Sequence, residues 1–119
     1  MSSKTLAIFL AASPYSGEST ETALRLAEAA LGKGHRVRVF ASGDGVYLPQ
    51  IGQHAAGIPD ALAELRDLVP RGLHVELCGS CLRLRGVSRE LIVEGAEPSS
   101  LKGLFTAVEE ADAFLSFSA

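Results

Sequence analysis

The chain is short of several things, and each shortage closes off a class of explanation. In 119 residues it has no tryptophan, one methionine and two cysteines. Two cysteines are too few for the stapled frameworks of small secreted proteins, and a hydrophobic content of 47% can build a core without them. Both thiols are therefore expected to be free, in a reducing, cytoplasmic setting. Cations are not clustered. The net charge is -3, and Arg83, Arg85 and Arg89 form a local basic spot too small to neutralise a duplex backbone, so no direct nucleic-acid binding is expected. Apolar runs are short, and none approaches membrane-spanning length. The run Leu6 to Ala12 behind Lys4 is at the lower limit of a signal-peptide core, and removing it would delete what reads as a central strand, so it is taken as part of the fold. No repeat, low-complexity tract or composition shift divides the sequence, and residues 1–119 are read as a single domain.

What is present alternates between two periodicities. Thr5 to Ala12 is a continuous apolar run closed by the turn-rich "SPYSGES", the pattern of a strand buried on both faces. In "TETALRLAEAALGKG" the residues Ala23, Leu24, Ala27, Ala30 and Leu31 recur at helical spacing, and Gly32 and Gly34 mark the end. "RVRVFA" reads as a second strand. Ser42 to Gly57 is glycine-rich and aperiodic, longer than the usual strand-to-helix connection, and is expected to be a functional loop. Pro59 can open a helix whose stripe is Leu62, Leu65 and Val69, with Pro70 and Gly72 stopping it. "LHVEL" is a third strand, with His74, Glu76 and then Cys78 on its polar side. "CLRLR" fits a short helix ended by Gly86, and residues 90–94 read equally as strand or helical turn. Leu101, Leu104, Phe105 and Val108 make a last helix, weakened by Gly103, before the strand "AFLSF". This alternation predicts an α/β fold with a mostly parallel sheet of four to five strands and helices on both faces, a three-layer α/β/α arrangement. Ligands of such sheets sit beyond the carboxyl ends of the strands, where "SPYSGE", "SGDGVYLPQ" and "CGSC" converge.

The run "ELCGSCLRLRG" contains both cysteines in a Cys-x-x-Cys spacing, which is open to four readings. Zinc needs about four ligands, and this pair supplies two, while His35, His54 and His74 lack ligand-like spacing to one another or to Cys78; no metal is expected. A redox couple of Cys78 and Cys81 is a second reading, although the motif follows the third strand rather than the first. A third is a nucleophile at Cys78. A thiol at a helix start is flanked by backbone N–H groups, here of Gly79 and Ser80, and Arg85 falls near the same helical face, so a thiolate would be stabilised. The fourth is two packed thiols, with Cys81 a small residue on the inner face and Arg83 solvating the helix. Tyr15, Asp44, Tyr47, Gln50 and His54 are candidate substrate contacts from the neighbouring loops, or equally polar loop surface. "SPYSGE" could cradle an anion but lacks a phosphate-loop lysine, which leaves a non-catalytic ligand-binding module as a further alternative.

At three places the chain resembles the DsrE/TusD sulfur-relay proteins, the DsrE/F-like group. "SPYSGESTETALRLAEAALGKGHRVRVFASGDGVY" is similar to that family's opening strand, loop, helix and second strand. "LCGSCLRLRGV" is similar to its cysteine loop, in which glycine follows the cysteine by eight residues, as Gly86 follows Cys78, and "AVEEADAFLSF" is similar to its closing helix and strand. The resemblance implies a DsrEFH-like fold and a sulfurtransferase-like carrier that holds a persulfide on Cys78, with no other cofactor. It also implies sulfur-donor and sulfur-acceptor proteins as partners, and a homo-oligomer, trimer or hexamer, or a complex with paralogues. Cys81 departs from many relatives, and a thiolate there could attack a Cys78 persulfide and release sulfide.

Overall fold

The uncharged segment Thr5–Leu10 forms β1, an interior strand paired on both edges, which is why it can be apolar at almost every position. The structure, a computed structural model, describes residues 3–118. In chain order follow α1 (Ser19–Gly32), β2 (Arg36–Ala41), α2 (Ala61–Leu68), β3 (Leu73–Cys78), α3 (Gly79–Leu84), β4 (Ala96–Ser99), α4 (Leu101–Glu110) and β5 (Ala113–Phe117). The five strands make one sheet in the order β4-β3-β2-β1-β5, with every pairing parallel. The expected α/β class and parallel sheet are therefore present, at the upper end of the expected strand number.

The strand order decides which face each helix covers. From β1 to β4 the chain steps across the sheet in one direction, and right-handed crossovers put α1, α2 and α3 on one face. There Ile8, Leu10, Val39, Val75 and Leu77 pack against Ala23, Leu24, Leu62 and Leu65 in the main core. The step from β4 to β5 reverses direction, so α4 lies on the opposite face, beside β1 and β4. That second face is partly ionic. Arg38 donates to Glu76 at 3.0 Å and to Glu110 at 2.7 Å, and Glu76 also accepts from Ser99 Oγ at 2.8 Å. Burial pushes the Glu76 carboxyl pKa up, but the Ser99 and Arg38 hydrogen bonds and the His74 and Arg38 charges outweigh it, leaving the pKa below the usual carboxylate range. Phe9 and Phe40 stack alongside with ring centroids 6.5 Å apart.

Two local features differ from the pattern reading. Residues 90–94 are neither strand nor α-helix: Arg89–Leu91 is a short 3-10 turn, and Ile92 then makes an isolated antiparallel bridge to Gln50. The fourth strand is instead "AEPS", whose proline is tolerated because β4 lies at the sheet edge. α2 begins at Ala61 because Asp60 is its N-cap, accepting from the Ala63 N–H at 3.1 Å.

Candidate functional site: a thiol pair at the carboxyl end of the sheet

β1, β2 and β3 deliver three chain segments to one end of the sheet, and the residue after each decides what gathers there. β2 runs into Ser42, whose N–H donates to the Leu10 carbonyl at 2.9 Å, and then into a 3-10 turn, Gly43–Tyr47. Gly45 is required in that turn, since a Cβ there would collide with the Leu10 carbonyl oxygen. Gly43 adopts a φ of 54°, in the left-handed region. Docked in this way, the turn directs the Gly43 N–H at the Cys81 sulfur, 3.2 Å away, while Ser42 Oγ lies 3.5 Å from the same atom.

β3 ends at Cys78, which is the N-cap of α3 with extended backbone (φ −63°, ψ 115°) and makes no side-chain capping bond. Cys78 is buried and Cys81 half-buried, and both are free. Burial raises the Cys81 pKa, yet hydrogen bonds from Ser42, the Cys78 thiol and the Gly43 N–H, together with the Arg85 charge, outweigh it and lower the pKa below that of an ordinary thiol. Of the groups that the sequence suggested for Cys78, Arg85 acts on Cys81, where hydrogen bonds come from Ser42 and Gly43. Arg85 likewise points to Asp44, at 2.8 Å, and to the Cys81 carbonyl, at 3.2 Å. Asp44 in turn raises the Arg85 pKa. Of the flanking pair, Gly79 packs its α-carbon against β4, where a Cβ would sit 3.1 Å from the Ser99 carbonyl oxygen, and Ser80 Oγ accepts from Arg83 at 3.2 Å.

The other loop candidates divide. Asp44 reaches the site through Arg85, and Tyr47 packs against the main core. Gln50 is held by its backbone bridge to Ile92, and its carbonyl accepts from Gln53 Nε2 at 2.8 Å. Tyr15 and His54 go elsewhere. The Tyr15 hydroxyl accepts from the Ala61 N–H at 2.9 Å, and His54 Nδ1 lies 4.0 Å from Asp60, so both sit at the start of α2. Ser42 and Gly43 were not among the candidates, although the glycine pair of "SGDGV" directly after a strand is the signal that marks them. An open concavity of about 600 Å³, lined by Thr5, Arg36, Arg38 and His74 among others, lies at the amino ends of the strands, away from the thiols. Among the described residues no group of three or more His, Cys, Asp or Glu side chains could hold a metal ion, and no helix is long and apolar enough to cross a membrane.

Similarity to other proteins extends over nearly the whole chain. Uncharacterized protein MK0008 of Methanopyrus kandleri is 35% identical over 112 residues, spanning 94% of this chain and 93% of that one. Uncharacterized protein MJ0989 of Methanocaldococcus jannaschii is 32% identical over 110 residues, 92% of this chain and 96% of its own length. The crystal structure of the ychN protein from E. coli superposes with a TM-score of 0.89 at 28% identity, covering 98% of this chain and 100% of that one. MTH1491 from Methanobacterium thermoautotrophicum, at 18% identity and a TM-score of 0.73 over 96% of this chain and 99% of its own, shares the fold. A model of the DsrE/DsrF-like family matches residues 4–117, and the chain belongs to that family.

Proposed function

We propose that this protein is a sulfur carrier that holds a sulfane sulfur as a persulfide on Cys78 and hands it to an acceptor protein. One observation carries the reading: two free thiols at the carboxyl end of β3, one of them half-buried and surrounded by donors that favour a sulfur anion. For transfer, the outer sulfur of a Cys78 persulfide must remain within reach of another protein's cysteine. The donor and acceptor are thiol or persulfide proteins. Free thiols fit a reducing compartment, and the reading assigns the protein to the cytoplasm.

Self-association belongs to the same proposal. On α4, Leu101, Phe105 and Val108 recur on one side of the helix and are exposed, and Phe114 of β5 is exposed as well. An exposed apolar stripe of this kind is a surface that a second copy or a paralogue would cover. A second chemical reading, dithiol–disulfide exchange, is favoured by the spacing of the two free thiols, at the N-cap and the third residue of α3.

The test is uptake of sulfur. After incubation with a low-molecular-weight persulfide and desalting, a Cys81→Ser chain should be heavier by one sulfur atom, mapped to Cys78, and should lose it to an added thiol. A chain that takes up no sulfur, with thiols of ordinary reactivity, would point instead to a ligand-binding or assembly module.

A further inference from the structure

We propose that in this chain the Cys78 persulfide has an internal exit: the Cys81 thiolate attacks Cys78 Sγ and expels the outer sulfur as hydrosulfide. The inference rests on the sulfur-carrier reading above and states what the second thiol does to it. The step balances. Cys81 Sγ forms a bond to Cys78 Sγ while the bond between Cys78 Sγ and the outer sulfur breaks. The bonding pair leaves with the outer sulfur, which keeps its proton and departs as HS⁻. Cys81 is oxidised to disulfide level, and the outer sulfur is reduced to sulfide. The reduced pair is then restored by an external dithiol, which becomes the disulfide.

Three observations place Cys81 as the attacking group. Its sulfur is the one that receives the Gly43 N–H at 3.2 Å and lies 3.5 Å from Ser42 Oγ, so it is the thiol of the pair equipped to be an anion. It lies close enough to the Cys78 thiol for that group to help lower its pKa, so the attack needs no domain movement. The pair also spans the N-cap and the third residue of α3, and residues three apart along a helix are side-chain neighbours, a separation that a small local adjustment closes to disulfide geometry.

Charge is conserved within the pocket. Before the step the negative charge is on Cys81, facing Gly43, Ser42 and Arg85; afterwards it is on the departing hydrosulfide. Thiol exchange also runs faster when the leaving sulfur is a weak base, which hydrosulfide is compared with an alkyl thiolate. Cys78, being buried, has its inner sulfur shielded from outside thiols and open to the neighbouring Cys81.

The experiment uses the full chain, loaded with an alkyl persulfide and desalted at once, and follows sulfide release and intact mass without reductant. The wild type should release one sulfide per chain and finish two hydrogens lighter than its reduced form. The Cys81→Ser chain should keep its extra sulfur and release none. Ser42→Ala, which retains both cysteines, should release sulfide about three- to tenfold more slowly, as expected for loss of one hydrogen bond to a charged group. If Cys81→Ser takes up sulfur and the wild type holds it just as long without releasing sulfide, this inference falls and the carrier reading stands. If neither chain takes up sulfur, the carrier reading itself falls, and this inference with it.

Discussion

A thiol sulfur is a weak hydrogen-bond acceptor until it ionises, so donors converging on Cys81 matter more for its anion than for its neutral form. Gly43 contributes a backbone N–H, Ser42 a hydroxyl and Arg85 a full charge held in place by Asp44. Burial works against them, and together they outweigh it and lower the pKa. In a Cys78→Ser background, where serine still offers a donor, alkylation of Cys81 followed against pH should reach half its limiting rate below the midpoint of a free cysteine. Adding Ser42→Ala should move that midpoint upward; a profile equal to that of free cysteine in both chains would contradict the geometry. At this scale the sequence was only half legible. The Cys-x-x-Cys spacing is local and could be read directly, but the donors belong to a segment 38 residues away, and which thiol they serve depends on how the 43–47 turn sits on β1. The partners of Tyr15 and His54 were illegible for the same reason: each lies in a loop at the correct end of the sheet, and each is engaged at the start of α2.

Elements were far more legible, because periodicity is a local property. β2 and β5 occupy the segments that their alternation marks, and α4 follows its apolar stripe. β4 could not be read, since "AEPS" has neither branched residues nor alternation and is a strand only because the edge of β3 accepts it. Gly103 shows how an element-scale contact overrides local preference. By propensity alone, Gly103→Ala should stabilise α4 by about 1 kcal/mol. Its Cβ, however, would collide with Ser99 Oγ and sit 3.0 Å from Glu76 Oε2, displacing the hydrogen bond between those two side chains. Overpacking costs about 1–3 kcal/mol, and disturbing a bond to a half-buried carboxylate adds a similar amount. The expected outcome is therefore net destabilisation by about 1–5 kcal/mol, read as a lower urea midpoint at unchanged slope. A stabilised variant would mean that α4 can lift from the sheet without cost.

For the molecule as a whole, the reversal of strand order produces two unlike faces. One is covered by three helices over a continuous apolar core; the other is covered by α4 alone, over an ion cluster, and leaves Leu101 and Phe105 largely in water at 74% and 61% exposure. Self-association through this face predicts a solution mass by light scattering that is a multiple of the 12.5 kDa chain. Replacing Leu101 and Phe105 together by lysine should reduce it to a single chain with unchanged helical content. A wild type that runs as a single chain at all concentrations would exclude this assembly.

The position of β5 has a further consequence for biosynthesis. Of the five strands β1 is made first, yet one of its edges is completed only by residues 113–117, made after the other four. Throughout translation of the segments between them, the nascent sheet therefore offers an open row of amide and carbonyl groups beside its most apolar strand, the kind of template on which neighbouring polysomal chains coalesce. Asp112 closes that interval: its carboxylate accepts from the Thr5 N–H and its own N–H donates to the Thr5 carbonyl, both at 2.8 Å, which fixes the register of the arriving strand.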